Sequence, residues 1–130
     1  MTNILITGGA GYIVLFQEHF KRNYIHIQNV TNVFNFAIEN FDKMKNETYN
    51  VGLEDTNISK LELAERIKKY VPKFSIHTAS IGADIDKRDY IVSNKKILST
   101  GWKPRYSLDN GIIELVKCYK ILQTNIYTNI

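Results

Sequence analysis

A chain of 130 residues suits one compact domain, with enough length to bury a core that needs no covalent staple. Hydrophobic residues are 44% and charged residues 23%, which excludes a disordered chain. The net charge of +4 permits an anionic partner without selecting one, because Lys21-Arg22, Lys68-Lys69, Lys87-Arg88 and Lys95-Lys96 are scattered pairs that read as a solvated face. Cys118 is the single cysteine, so no internal disulfide forms, and a reducing, cytoplasmic setting fits best. The opening MTNILITGG lacks the features of a secretory signal, and no apolar stretch reaches membrane-spanning length.

Residues 3–7 read as a short buried strand, and Gly8-Gly9-Ala10-Gly11 as a turn that lets backbone N–H groups approach a pyrophosphate. Such a turn feeds a helix and then a second strand, but VLFQEHFKRNYIH reads as neither. Val14-Leu15-Phe16 is a second apolar run and residues 23–27 a third. Val30, Val33, Phe34, Ala37, Ile38 and Phe41 then follow the spacing of an amphipathic helix. Residues 48–51 read as a strand ended by Gly52. Ser59-Lys60-Leu61-Glu62 has the form of a capping box, opening a helix with Leu61, Ala64, Ile67 and Val71 on its buried stripe and Pro72 as its stop. Residues 74–79 and 89–93 read as strands, and 94–100 as a short helix closed by Gly101. Ser107 caps a last helix that places Leu108, Ile112, Leu115, Val116, Tyr119 and Leu122 on one face, and 125–130 is a frayed tail.

Taken alone, the glycine turn is weak ground for a cofactor site. An acidic partner for the adenosine ribose belongs about 20 residues beyond such a turn. The first acidic residue after Glu18 is Glu39, inside a helix of a different kind, so a glycine turn ending an isolated strand is the plainer reading.

The segments FKRNYIHIQNVTNVFNFAIEN, TYNVGLEDTNISKLELAERI and DKRDYIVSNKKILSTGWKPRYSLDNGIIELV stand in an order that carries a wider resemblance. From about Val14 to Leu122 the chain resembles the carboxy-terminal, substrate-binding part of the extended short-chain dehydrogenases/reductases, the NAD(P)-dependent nucleotide-sugar epimerases, dehydratases and reductases. MTNILITGGAGYI resembles the amino terminus of the same family, whose TGxxGxxG signature has a third glycine where this chain has Val14. The resemblance implies a small mixed α/β domain with most of the Rossmann domain missing. Residues 1–13 are then a vestige of the dinucleotide-binding domain, with Gly8 and Gly11 as vestigial cofactor residues; 14–124 is a substrate-binding-type domain. Family members exchange protons with the sugar through a Tyr-x-x-x-Lys pair, and no tyrosine here has a lysine four residues on. The implied protein is inactive alone, and NAD or NADP is not bound productively.

By the same resemblance Arg22 and Arg88 match arginines that contact the nucleotide diphosphate, and Asp89 an acidic residue that reaches the ribose. On the residues alone, Arg22 and Arg88 read as exposed arginines flanking strands. His19, His26 and His77 lack metal-like spacing, and Cys118 reads as a packed helix thiol. Tyr90, Trp102 and Tyr106 near Lys95, Lys96, Lys103 and Arg105 suit base stacking, but the resemblance implies that Trp102 in TGWKP is a structural residue of the turn before the last helix. Expected partners are a nucleotide sugar or nucleoside diphosphate, with no nucleic acid and no membrane; a homo-oligomer is left open. Two other readings remain: a non-catalytic nucleotide-sugar or nucleoside-diphosphate binding module, and a fragment without selected function.

Overall fold

The run YIVLF has the β-branched and aromatic make-up of a strand and forms one. The computed structural model describes residues 12–79 and 88–122; the strand expected over 3–7, Gly8, Gly11 and the tail lie outside them. In chain order the described elements are β1 (Tyr12–Phe16), β2 (Lys21–Asn23), α1 (Ile27–Glu39), α2 (Phe41–Met44), a 3-10 turn (Glu54–Thr56), β3 (Asn57–Ser59), α3 (Lys60–Tyr70), β4 (Ser75–Ala79), α4 (Lys95–Ser99) and α5 (Leu108–Leu122). They make two two-stranded sheets. β1 pairs in parallel with β4, Tyr12 opposite Ser75 through Phe16 opposite Ala79. β2 pairs antiparallel with β3, with Arg22 opposite Ile58.

α3 follows directly from its capping chemistry. The Glu62 N–H donates to Ser59 Oγ at 3.1 Å and the Ser59 N–H to Glu62 Oε2 at 2.6 Å, the reciprocal box expected from the sequence. The remaining N-terminal amides are answered from the β1–β2 loop: Lys60 N–H donates to Phe20 O and Leu61 N–H to Glu18 O. The helix ends at Tyr70, before Pro72. Its buried stripe, Leu63, Ala64 and Ile67, packs with Leu15, Phe74, Leu108 and Ile112 into the larger core cluster. A smaller cluster joins Val33, Met44, Ile97 and Trp102, with Tyr49 and Val51 half-buried against it. Trp102 is therefore structural, as its sequence context suggests.

Two expected strands are absent. Residues 48–51 form no strand; Tyr49 and Val51 are half-buried against the smaller cluster, and Thr48 O accepts from Lys96 Nζ at 2.8 Å. Residues 89–93 run beside β2, yet side chains take the bonds a ladder would make. Asp89 Oδ1 accepts from the Lys21 N–H at 2.8 Å, and the Asn57 amide grips both the N–H and the C=O of Val92, at 2.7 and 3.0 Å. In α5 only Leu108 and Ile112 of the expected face are buried; Leu115 and Tyr119 are exposed, and so is Cys118, which is not a packed thiol. α3 packs on α5 at its start, where Arg66 meets Asp109, and further along Val116 is half-buried against the larger cluster. α4 does close at Gly101, whose φ of +97° suits glycine.

Two more asparagines repeat the Asn57 arrangement. Asn23 donates to Leu53 O at 2.7 Å and accepts from Leu53 N–H at 3.1 Å. Gly52 makes room for this: a Cβ there would fall 2.1 Å from Asn23 Oδ1. Asn29, wholly buried in α1, donates to Tyr106 O at 2.6 Å and accepts from the N–H groups of Arg105 and Tyr106 at 2.9 and 3.1 Å. Asn29→Ala removes the partner of three part-buried backbone groups and should cost about 1–3 kcal/mol by urea unfolding. Asn35→Ala, on the exposed side of the same helix, should stay within about 0.5 kcal/mol of the parent.

Candidate functional site

Strand alternation turns Arg22 into the protein while Lys21 faces out. Arg22 is only 5% exposed, which corrects its reading as a surface arginine. Its Nη1 donates to Lys21 O at 3.1 Å, and the guanidinium lies 5.6 Å from the centroid of the Tyr90 ring. Tyr90 is held there by its own backbone, whose N–H donates to Lys21 O at 3.2 Å. The structure thus brings Arg22 together with the Asp89-Tyr90 pair. Arg88, next in the chain, is exposed and has contacts of its own. Asp89 spends Oδ1 on the Lys21 amide, so part of the carboxylate has a structural task.

Tyr24, the next inward residue of this stretch, is half-buried against the larger core. Burial pushes its phenol above the ordinary tyrosine value; the Arg22 charge pulls the other way and loses.

Sequence reasoning passed over Tyr90 as a lid on Arg22 and Asn57 as the anchor of its segment. It also passed over His26, which is buried and caps α1. The Gln28 N–H donates to His26 Nδ1, leaving the proton on Nε2, which lies 3.1 Å from Glu114 Oε2. The imidazole stacks on Tyr106 with centroids 4.8 Å apart. This arrangement ties α1 to α5 and leaves no open ring nitrogen. Only the placement of His26 just ahead of an apolar-periodic run hinted at a cap.

A surface depression of about 420 Å³ lies elsewhere, between α3 and α5. Arg66 fills it with a two-pronged ion pair to Asp109, at 2.8 and 2.9 Å. A guanidinium already satisfied by a carboxylate is a poor anion receptor. Arg66, through its hydrogen bonds, holds the Asp109 carboxyl below the usual range. A lowered native value means stability that is present above the unfolded-state pKa of about 3.9 and lost as pH falls through the native value. Asp109→Asn should therefore cost about 0.5–1 kcal/mol near neutrality, with the partly exposed pair discounted for solvent screening. In thermal melts the gap between parent and variant should close below about pH 3.9.

No protein-family model matches the chain. Solved structures do. A GDP-6-OMe-4-keto-L-xylo-heptose reductase from Campylobacter jejuni superposes with a TM-score of 0.72 at 22% identity, over 86% of this chain and 34% of its own. A GDP-D-glycero-L-gluco-heptose synthase from the same organism, solved with NADPH, gives 0.68 at 23% identity over 84% and 33%. A dTDP-glucose 4,6-dehydratase from Bacillus anthracis, in complex with NAD, gives 0.63 at 21% identity over 83% and 34%. The small mixed α/β domain therefore has the fold of part of these enzymes. The chain spans about a third of the length of the structures it matches. No helix among the described residues is long and apolar enough to cross a membrane.

Proposed function

We propose that this chain is the substrate-holding part of an NAD(P)-linked nucleotide-sugar epimerase, dehydratase or reductase of the extended short-chain dehydrogenase/reductase family, and that it binds a nucleoside diphosphate through Arg22 and Arg88. The observation that carries this reading is the buried Arg22 guanidinium, fixed on β2 beside the 88–90 segment, in a chain with the fold of part of such enzymes. An arginine aimed inward from a strand presents its donors in a fixed fork, which suits the paired oxygens of a diphosphate. Tyr90 covers that fork in the free protein, so the ligand displaces the ring as it enters. Asp89 retains Oδ2 for a ribose hydroxyl while Oδ1 keeps the Lys21 amide. Residues 1–13 are the vestige of the dinucleotide-binding domain and 14–124 the substrate-binding domain.

Each charge-assisted arginine contact is worth about 1.5–3 kcal/mol, or roughly tenfold or more in affinity. UDP or GDP should bind more tightly than the monophosphate, with a dissociation constant of order millimolar because an open half-site leaves the phosphates hydrated. Arg22→Ala and Arg88→Ala should each weaken it. Equal ligand-observed NMR signals for the parent and both variants would remove the diphosphate reading and favour a fragment without selected function.

Turnover is a separate matter. Proton exchange with a sugar needs a base held at hydrogen-bond distance, and hydride transfer needs a positioned nicotinamide. The chain has no Tyr-x-x-x-Lys pair, and NAD or NADP contacts at Gly8 and Gly11 would be vestigial. Purified polypeptide with NAD(P)H and nucleotide sugars should show no change in nicotinamide absorbance; a sugar-dependent change that survives repurification would overturn this.

A further inference from the structure

A glycine turn that holds a pyrophosphate is followed by a helix, whose first N–H groups complete the anion site. Here Gly8-Gly9-Ala10-Gly11 is followed at Tyr12 by a strand, β1. β1 gives one edge to β4, in parallel, and among the described residues no strand lies along its other edge. Lys60 Nζ donates to Phe16 O at the far end of the strand. The two outer edges of this small sheet differ in chemistry. β4 reads SIHTA, with Ser75, His77 and Thr78 exposed. β1 reads YIVLF, with neither a charge nor a proline to blunt its edge. Two parallel strands also make a poor sheet by themselves, since independent stability comes with a third strand.

The chain ahead of β1 has the composition and the spacing to supply that strand. Asn3-Ile4-Leu5-Ile6-Thr7 is apolar and β-branched, and the four residues that separate it from Tyr12 are a common length for the loop of an antiparallel hairpin. Three of those four are glycines, which admit the positive φ that such loops use. A loop over 8–11 sets Thr7 opposite Tyr12, Ile6 opposite Ile13, Leu5 opposite Val14, Ile4 opposite Leu15 and Asn3 opposite Phe16. Burial along β1 agrees with that register. Leu15 is buried in the larger core cluster and Ile13 packs against it, while Val14 and Phe16 are exposed. Directly opposite residues share a face, so both isoleucines fall on the core side and Asn3 on the outer side. A register one residue off would put both isoleucines outside. We propose that the open edge of β1 is a docking edge for residues 3–7 of the same chain, paired antiparallel through the 8–11 turn, so that the glycines serve a hairpin and not a pyrophosphate. The inference stands on β1 and the spacing ahead of it, and is independent of whether Arg22 and Arg88 hold a diphosphate. A second copy of this chain, pairing edge to edge, is the competing occupant.

The test is solution NMR on the isotope-labelled full chain. The expected result is slowed amide exchange over residues 3–7, by roughly tenfold or more against an unfolded chain, with cross-strand NOEs joining Ile6 to Ile13 and Ile4 to Leu15. A sample that mixes labelled and unlabelled chains separates the hairpin from pairing between copies, and the proposal expects no such contacts between chains there. Ile6→Asp and Leu5→Asp then read the register, since the two positions are neighbours in sequence and fall on opposite faces. Ile6→Asp should raise the unfolded fraction roughly tenfold or more, and Leu5→Asp by less than about threefold. The NOEs of the parent decide the pairing even if Ile6→Asp fails to fold. Unprotected amides over 3–7, NOEs from 3–7 to a strand other than β1, contacts between copies, or equal sensitivity at positions 5 and 6 would overturn the proposal.

Discussion

Three asparagine side chains hold this molecule in its shape. Asn23, Asn29 and Asn57 each close on the N–H and C=O of a single backbone residue, Leu53, Tyr106 and Val92 respectively. A primary amide offers a donor and an acceptor side by side, so it reproduces what a neighbouring strand would present. β2 and β3 are three residues each, too short for a ladder to fix the coil around them. The amides extend that small sheet on both sides. Asn23 also donates to Asn57 Oδ1 at 3.1 Å, so two of the three act as one network.

The candidate site depends on this network more than on any contact of its own. β2 turns Arg22 inward with the Tyr90 ring beside its guanidinium, and the segment that carries Tyr90 is held where Asn57 grips Val92 and Asp89 accepts from the Lys21 N–H. Burying a guanidinium costs free energy unless oxygen or π partners replace water, and Lys21 O and the Tyr90 ring supply part of that replacement.

Where local chemistry decides, the sequence was legible. The capping box predicted α3, Gly101 predicted the end of α4, and the apolar spacing predicted α1. The alternation over 74–79 became β4, Ser75–Ala79. Where a backbone group's partner is a distant side chain, it was not. Residues 89–93 look like a strand because their side chains alternate, and nothing local reveals that Asn57 and Asp89 will take the ladder's bonds. The asparagines were hidden by their own abundance: Asn35 and Asn50, both exposed, look no different in sequence from Asn29. Periodicity put Leu115 and Tyr119 on one face with Leu108, Ile112 and Val116, but the structure exposes both while Val116 stays half-buried against the larger cluster, because burial needs a neighbour as well as a spacing. The inward turn of Arg22 was equally hidden, since a single arginine in a short strand carries no sign of which side is buried.

The two core clusters are unequal, and the inequality falls on α1. Seven buried residues hold α3, α5, β1 and β4 together, against four around α1, α2, α4 and Trp102. α1 is also an intrinsically weak helix. Its sequence, IQNVTNVFNFAIE, is rich in asparagine, β-branched and aromatic residues, which favour the helical state less than alanine, leucine or lysine do. It has no acidic residue in its first turn and no basic residue in its last to offset the dipole. Such a helix forms through tertiary contact, and here that contact comes from one side, through Val33, Asn29 and the His26 cap. A sequence that keeps phenylalanine and isoleucine on the outer side of a helix so poor in intrinsic support is consistent with packing on both faces.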